Sequence, residues 1–202
     1  KKIKKQINKI KKIGTTAATK KTIRKNSCKW SVGGNSGAQI GLSRLMLILY
    51  NPISSSDKYK FRSEFEKLIK IRDYIRNDGK LTNDKCLSGN YFNACRFQIY
   101  PKGGGFMIGH TDYDGVKNSK KIMKTYFQTL LFMTERGKDF KRGGAYILFK
   151  NKKIDIEKHV KRGDVVVYDG KSYHGVEDID PNLPFSSNDL SGRVVALTTI
   201  YK

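Results

Sequence analysis

The sequence GHTDYDG, residues 109–115, places His110 and Asp112 two positions apart. In a strand, residues with this spacing project from the same face, so an H-x-D pair can direct an imidazole and a carboxylate at one metal ion. Asp114, two positions further on, is an alternative carboxylate ligand. An isolated H-x-D pair is also common in surface turns. The spacing alone therefore leaves both interpretations open.

A third ligand is predicted among the remaining histidines. His174 lies in YHG, a glycine-flanked position at the end of a predicted strand, and such positions put side chains at the mouth of a barrel. His159 lies in the charged connection IEKHVKRGD and is expected to be exposed. His110, Asp112 and His174 supply two imidazoles and one carboxylate, a ligand set that suits Fe(II) and leaves three coordination positions open. A structural zinc site would have four ligands and more sulfur.

Short β-prone segments must position these residues. His174 lies far along the chain from Asp112, so the two ligands must lie on different strands, and a two-sheet barrel brings distant strands together. We therefore predict an α+β, mainly β protein, a jelly-roll or cupin-like barrel of the double-stranded β-helix type with flanking N-terminal helices. The predicted strands contain YFNACRFQIY, FMIGHTD, TYFQTLLFMT, AYILF, DVVVYDG, SYHGVED and RVVALTTIYK.

The first part of the chain predicts two helices and one buried strand. KKIKKQINKIKKI spaces isoleucines at helical intervals among lysines, which predicts a basic amphipathic helix followed by a loop-rich lead-in to Gly37. LMLILY, residues 45–50, predicts a buried strand. A main helix is predicted over 57–77, with Asp57 as its N-cap. Its apolar face would contain Phe61, Phe65, Leu68, Ile69 and Ile75.

The composition is that of one globular domain. The 202 residues are 38% hydrophobic and 29% charged, which is enough apolar content for one core. The longest apolar run is far shorter than the roughly 20 residues of a membrane span. The three cysteines form no C-x-x-C pair, so we expect a reducing, intracellular and cytoplasmic location.

The charge is strongly positive. Forty-one basic and eighteen acidic residues give a formal net charge of +23. Such a charge attracts polyanions, so nucleic acid or an acidic membrane surface is a candidate partner. A lysine-rich composition with no charged partner is an equal alternative.

From about Tyr91 to Lys202 the sequence resembles the Fe(II)- and 2-oxoglutarate-dependent oxygenases. YPKGGGFMIGHTD resembles the family's strand, glycine turn and first ligands, and RGGAYILF resembles its GGxL-type hairpin. KRGDVVVYDG resembles its GD strand, and YHGVEDID resembles the strand that carries the last histidine. The resemblance implies that Fe(II) is bound by His110, Asp112 and His174, with 2-oxoglutarate as cosubstrate and O2 as oxidant.

The resemblance also assigns a site for the cosubstrate. GRVVALTTIY begins with Arg193 after a glycine, and in the family this arginine forms a bidentate pair with the distal carboxylate of 2-oxoglutarate. The family's common R-x-S form is not kept, because Val195 stands in the place of the serine. Tyr100 and Gln98, which alternate to one face of CRFQIYP, are the candidates for the missing polar contact.

The implied reaction is hydroxylation of an unactivated C–H bond with release of succinate and CO2. The expected substrate is an amino acid, a small metabolite or a peptidyl side chain, and Arg96 and Tyr173 are candidate substrate contacts. The alternatives are a nucleic-acid base oxidase or demethylase of the same fold, and a barrel that binds metal without catalysis. We divide the chain into a basic N-terminal segment and lead-in, 1–36, and an oxygenase domain, 37–202, with its metal-binding core at about 91–202. The sequence predicts no oligomeric state.

Overall fold

A computed structural model of the chain describes residues 28–32, 43–76, 92–112 and 127–201. These residues form ten β-strands, one α-helix and one short 3-10 helix, Ile156–Lys158. The α-helix is α1 (Arg62–Arg76), and the strands are β1 (Cys28–Val32), β2 (Arg44–Tyr50), β3 (Phe92–Pro101), β4 (Gly105–His110), β5 (Phe127–Phe132), β6 (Gly144–Phe149), β7 (Lys152–Asp155), β8 (Val165–Asp169), β9 (His174–Ile179) and β10 (Gly192–Tyr201).

All ten strands belong to one antiparallel sheet that curls into a half-barrel. The strand order is β7-β6-β9-β4-β2-β3-β10-β5-β8, and β1 pairs with β2 beside this path. The curl brings β8, at one end of the order, close to β9, the third strand from the other end, because the hydroxyl of Tyr168 on β8 lies 3.1 Å from Nε2 of His174 on β9. The predicted fold class, a mainly β barrel of the jelly-roll or cupin-like type, is confirmed, and one of its predicted N-terminal helices is present as α1.

Each face of the sheet has its own core, because side chains alternate along the strands. On the concave face, Tyr100 of β3 packs with Met46 and Ile48 of β2 and with residues of β9. On the convex face, Cys95 and Phe97 of β3 pack against α1. The strand predicted for residues 45–50 is present as β2 and is largely buried.

The helix α1 begins later than predicted. It starts at Arg62 rather than at Asp57, because residues 57–60 form a turn in which Lys60 has a φ of 53°. Asp57 is therefore not the N-cap residue. Its carboxylate instead accepts hydrogen bonds from the backbone N–H groups of Phe61 and Arg62, at 2.9 and 3.2 Å. Asp57 thus provides hydrogen-bond acceptors for backbone N–H groups at the start of the helix, although it lies several residues before the helix begins.

The buried face of α1 also differs in part from the predicted one. Phe65, Leu68 and Ile69 are buried as predicted, but Ile75 is 41% exposed. The helical rotation places Arg72 rather than Ile75 on the buried face, and its guanidinium donates to the side chain of Asn93 at 2.8 Å. The buried face of the helix therefore continues past its apolar residues with an arginine that is hydrogen-bonded to the sheet.

The structure has a strand where the sequence predicted a loop. β1 lies in the lead-in to Gly37 and pairs antiparallel with β2, with Trp30 opposite Leu47. It is stabilised by side-chain packing, because the rings of Trp30 and Phe185 make an edge contact with centroids 5.7 Å apart. The basic helix predicted at the N-terminus lies outside the described residues, and the domain division at residue 36 stays a prediction. No described helix has the length and apolar character needed to cross a bilayer.

We expect the contact between α1 and the sheet to stabilise the fold. Phe65 is fully buried and its ring lies 5.3 Å from that of Phe97. Phe65→Ala should lower the free energy of unfolding by about 3–5 kcal/mol, measured by denaturant titration. Tyr74 lies on the solvent side of the same helix and is 86% exposed, so Tyr74→Ala should change this free energy by less than about 0.5 kcal/mol. Equal effects of the two substitutions would show that this contact does not hold the helix.

Candidate metal centre and cosubstrate cavity

His110, Asp112 and His174 lie together at one end of the barrel. His110 ends β4 and His174 begins β9, and the two residues are direct partners in the antiparallel register. The register shifts between Met107 and His110, so the strand is irregular just before the first ligand. Asp112 follows two residues later, and its backbone N–H donates to the carbonyl of Gly170 at 2.9 Å. Two strand ends and one loop thus position the three side chains.

The ligand atoms of the three residues converge. His110 Nε2 lies 3.6 Å from Asp112 Oδ1, and His174 Nε2 lies 3.7 Å from Asp112 Oδ2. One ligand atom from each residue lies within 4.8 Å of the other two. Within the described part of the chain, no other three His, Cys, Asp or Glu side chains come this close. Such a set needs only small movements to place each atom about 2.0–2.2 Å from a common metal ion.

Backbone carbonyls fix the tautomer of both imidazoles. His110 Nδ1 lies 3.0 Å from the carbonyl oxygen of Ile108, and His174 Nδ1 lies 2.9 Å from that of Ser172. A carbonyl can only accept, so each Nδ1 must carry the hydrogen. Each Nε2 then has a lone pair directed at the centre, which is the form of histidine that binds metals.

The electrostatics keep the ligands in their metal-binding protonation states. Burial alone would raise the pKa of Asp112, but the neighbouring imidazoles of His110 and His174 and the hydrogen bond from Gln128 hold that pKa below its usual value. Burial lowers the pKa of His174, although the carboxylate of Asp112 opposes this shift. At neutral pH the site therefore presents a carboxylate beside a neutral imidazole.

Two further residues contact the ligands, and sequence reasoning gave neither of them this role. Gln128 on β5 is buried; its Nε2 donates to Asp112 Oδ2 at 3.0 Å and its Oε1 accepts from Thr199 at 3.1 Å. Tyr168 on β8 places its hydroxyl 3.1 Å from His174 Nε2. Since that nitrogen has a lone pair, the tyrosine is the donor, and a metal bound at Nε2 would replace this hydrogen bond. A polar residue within the apolar strand FQTLLF is the one sequence signal for Gln128.

Most of the other predicted site residues line one cavity with the ligands. Arg96, Gln98 and Tyr100 of β3 and Arg193 of β10 contribute to its wall. Tyr173 does not; it is 42% exposed, and its ring packs against Gly109, where a Cβ would lie 2.3 Å from the ring. His159 is exposed, as the sequence predicted, and it does not line the cavity.

The cavity has the size of a small organic acid. Its volume of about 70 Å³ corresponds to about five to seven water molecules at roughly 10–15 Å³ each. Its wall is mostly apolar, with the metal-ligand candidates at one place and the guanidinium of Arg193 at another. A larger substrate must therefore lie at the mouth rather than inside.

Arg193 is held on several sides but keeps a free donor. Its Nε donates to Glu157 Oε1 at 2.5 Å, and its guanidinium carbon lies 5.0 and 5.5 Å from the ring centroids of Phe132 and Tyr100. Its Nη2 is buried without a hydrogen-bond partner among the described residues. A buried charged donor in this state favours an anionic ligand.

Tyr100 is a neutral hydroxyl group in the same wall. Burial raises its pKa, although the charges of Arg193 and Arg96 oppose the shift. Its hydroxyl donates to Gln98 Oε1 at 3.2 Å. Tyr100 and Gln98 thus form the polar pair that stands beside Arg193 where Val195, which is fully buried in an apolar cluster, offers no hydroxyl.

Comparison with known proteins supports the fold. No protein-family model and no curated protein sequence matches the chain. Among solved structures, the chain is similar to a prolyl-4-hydroxylase from Pseudomonas putida, with 17% identity over 79% of this chain and 73% of that one and a TM-score of 0.50. A second match, named ethanolamine utilization protein Q, from Salmonella typhimurium LT2, has 10% identity over 86% of this chain and 94% of that one. Its TM-score of 0.31 is too low to contribute to the fold assignment.

We expect the ligand cluster to bind a divalent metal ion. Asp112→Ala and His174→Ala should each weaken Mn(II) binding, measured by calorimetry, by more than about 100-fold, because losing even an outer-shell partner costs 10–100-fold. His159→Ala removes an exposed histidine and should leave the affinity unchanged. Wild-type affinity in the Asp112 and His174 variants would place any bound metal elsewhere.

We also expect Gln128 to support the aspartate ligand. Gln128→Leu keeps a similar volume but removes the hydrogen bond to Asp112 Oδ2, and should weaken Mn(II) binding by about tenfold. Thr199→Val, which removes only the hydroxyl that donates to Gln128, should have a smaller effect. If Gln128→Leu binds metal as tightly as the wild type, the hydrogen bond does not orient the ligand.

Proposed function

We propose that this protein is an Fe(II)- and 2-oxoglutarate-dependent dioxygenase that hydroxylates an unactivated C–H bond, with release of succinate and CO2. One observation carries the proposal. Three ligand side chains and a buried arginine with a free donor face the same small cavity. The same cavity must therefore attract a cation at one place and an anion at another.

The donor set fits Fe(II). Two imidazoles from His110 and His174 and one carboxylate from Asp112 form a facial triad, which leaves three positions for other ligands. When bound, Fe(II) together with 2-oxoglutarate and O2 supplies the oxidation chemistry. The protein's part is to hold the three ligands, to keep both Nε2 lone pairs available and to exclude bulk water from the cavity.

The wall around Arg193 fits the distal carboxylate of 2-oxoglutarate. With Nε donating to Glu157, the Nη edge of the guanidinium is the part that can bind a ligand. A planar fork pairs with a carboxylate more strongly than a point charge does. Tyr100, kept neutral by its raised pKa, lies in the same wall, and its hydroxyl would donate to a ligand by exchanging its present hydrogen bond to Gln98. The cavity thus matches a short dicarboxylate in size and in the placement of charge.

The substrate would lie at the mouth, where the cavity opens beside the metal ligands. An amino acid, a small metabolite or a peptidyl side chain fits this arrangement, because only the reacting carbon needs to approach the metal. The shared fold with an enzyme named prolyl-4-hydroxylase agrees with hydroxylation of such a substrate. Arg96, buried in the cavity wall, and Tyr173, outside it at the rim, stay candidate substrate contacts.

A nucleic-acid base oxidase or demethylase is the second candidate. The observation that favours it is the charge, because residues 1–27 contain eleven basic and no acidic residues. Such a segment attracts a phosphate backbone. Retention on DNA or RNA that falls steeply with salt, together with oxidation of a base, would favour this candidate over the first.

The decisive measurement is turnover of 2-oxoglutarate. We expect Fe(II)-loaded protein to form succinate in the presence of O2 and a substrate, with a gain of one oxygen atom in the substrate by mass spectrometry. Arg193→Lys keeps the charge but loses the planar fork, and should weaken 2-oxoglutarate binding by at least about tenfold. Metal-loaded wild-type protein that neither binds nor turns over 2-oxoglutarate would instead indicate a metal-binding barrel without this activity.

A further inference from the structure

Arg193 and Glu157 form an ion pair that is enclosed by the protein. Arg193 Nε donates to Glu157 Oε1 at 2.5 Å, and the side chains of both residues are 1% exposed. Burying two charges costs several kcal/mol per ion, and their attraction returns this only when the geometry is good and further hydrogen bonds are made. A pair of this kind is a poor source of stability. Its position directly behind the cavity wall indicates a role in the site.

Glu157 is itself fixed by backbone contacts. Its Oε1 also accepts the N–H of Ala145 at 3.0 Å, and its own N–H donates to Asp155 Oδ1 at 3.1 Å at the start of the 3-10 helix. Gly144, with a φ of +126°, leaves room for the side chain, because a Cβ there would lie 2.2 Å from Glu157 Cγ. The second glycine of RGGAYILF thus makes space for the carboxylate that holds the arginine.

The guanidinium of Arg193 is therefore held by a hydrogen bond at its Nε edge and by two neighbouring aromatic rings. Glu157 binds the Nε edge, and the rings of Phe132 and Tyr100 lie 5.0 and 5.5 Å away. Only the Nη edge can donate hydrogen bonds to a ligand. Because the guanidinium cannot swing, the distance between its donors and the metal ligands is set by the protein rather than by the ligand.

The charge of Glu157 works against anion binding. The carboxylate cancels the charge of Arg193 and repels the distal carboxylate of a bound dicarboxylate. If affinity alone were required, an uncharged acceptor would serve better. Arg96 is a second cation in the cavity wall. The contribution of Glu157 is therefore to orient the guanidinium of Arg193.

We propose that Glu157 is a positioning residue that locks Arg193 in one orientation and thereby makes the cavity selective for the chain length of the dicarboxylate cosubstrate. This inference rests on the proposed function. A locked arginine favours the acid whose distal carboxylate reaches it while the other end reaches the metal. A loosened arginine tolerates a ligand that is longer or shorter by one carbon.

Two substitutions separate geometry from charge. Glu157→Asp keeps the charge but shortens the side chain by one methylene, so one carboxylate oxygen cannot hold both Ala145 N–H and Arg193 Nε. Glu157→Gln keeps the length and the accepting oxygen but removes the charge. Asp73→Asn is the matched control, because it alters a buried ion pair with Arg72 on α1, away from the cavity.

The measurement is the affinity of Mn(II)-loaded protein for 2-oxoglutarate and for 2-oxoadipate, which is longer by one carbon. We expect the wild type to prefer 2-oxoglutarate, and this preference to fall by at least about tenfold in Glu157→Asp. Glu157→Gln and Asp73→Asn should keep the preference within about threefold of the wild type. Mn(II) affinity should be unchanged in all variants, and unfolding temperatures measured alongside should not follow the preference.

The outcomes separate this inference from the proposed function. If the wild type binds 2-oxoglutarate selectively and Glu157→Asp keeps that selectivity, the inference is overturned and the proposed function stands. An equal loss in Glu157→Gln or in Asp73→Asn would also overturn it, since charge or general stability would then explain the effect. A metal-loaded wild type that binds neither acid would overturn the proposed function itself, and this inference with it.

Discussion

The antiparallel pairing of β4 with β9 is the constraint on which the rest of the site depends. It places His110 opposite His174 although the two residues lie far apart in the sequence, and the short loop after β4 then places Asp112 beside both. The curl of the sheet adds the remaining contacts, since β5 and β8 reach the ligands from the other end of the strand order. A flat sheet with the same pairing would leave the aspartate and the second histidine without these partners.

The two faces of the sheet divide stability and function between them. The convex face is covered by α1 through aromatic and aliphatic contacts, which supply much of the hydrophobic stabilisation. The concave face buries polar groups, among them Gln98, Gln128, Arg193 and Glu157, which cost free energy unless they are bonded. These groups are bonded to one another or to the backbone, although Arg193 Nη2 and Glu157 Oε2 have no hydrogen-bond partner among the described residues. Residues that break the rule of an apolar core are thus concentrated where chemistry is expected.

Sequence patterns predicted the elements whose signals are local. β-prone segments between glycines predicted the barrel, the apolar spacing of Phe65, Leu68 and Ile69 predicted the helix, and the H-x-D pair with a distant histidine predicted a ligand cluster. The predicted start of α1 was wrong because the sequence does not distinguish an N-cap aspartate from one that lies a turn earlier and still accepts hydrogen bonds from the first helical N–H groups. β1 was missed because a short strand of mixed polarity is stabilised by its pairing with β2, which its own sequence does not encode.

Residues that act through tertiary contacts could not be predicted in this way. Gln128 reaches Asp112 across the barrel, and Glu157 reaches Arg193 from a 3-10 helix 36 positions earlier in the chain. Neither lies near a motif, and a glutamate in the charged stretch IDIEKHVKRG is ordinarily a surface residue. The sequence predicted the candidate ligand groups, and the fold supplies the groups that contact them.

The hydrogen bond from Tyr168 to His174 Nε2 adds a free-energy cost to the binding of any metal ion at this nitrogen. Any incoming cation must exchange the tyrosine's hydrogen bond at His174 Nε2 for a coordination bond, and this cost is the same for every ion. Ions with a strong preference for imidazole nitrogen recover it easily, whereas abundant hard ions such as Mg²⁺, which prefer oxygen and retain their waters, do not. Because this cost is uniform, the hydroxyl leaves the ratio of ion affinities unchanged but lowers the occupancy of weakly bound hard ions at a given concentration.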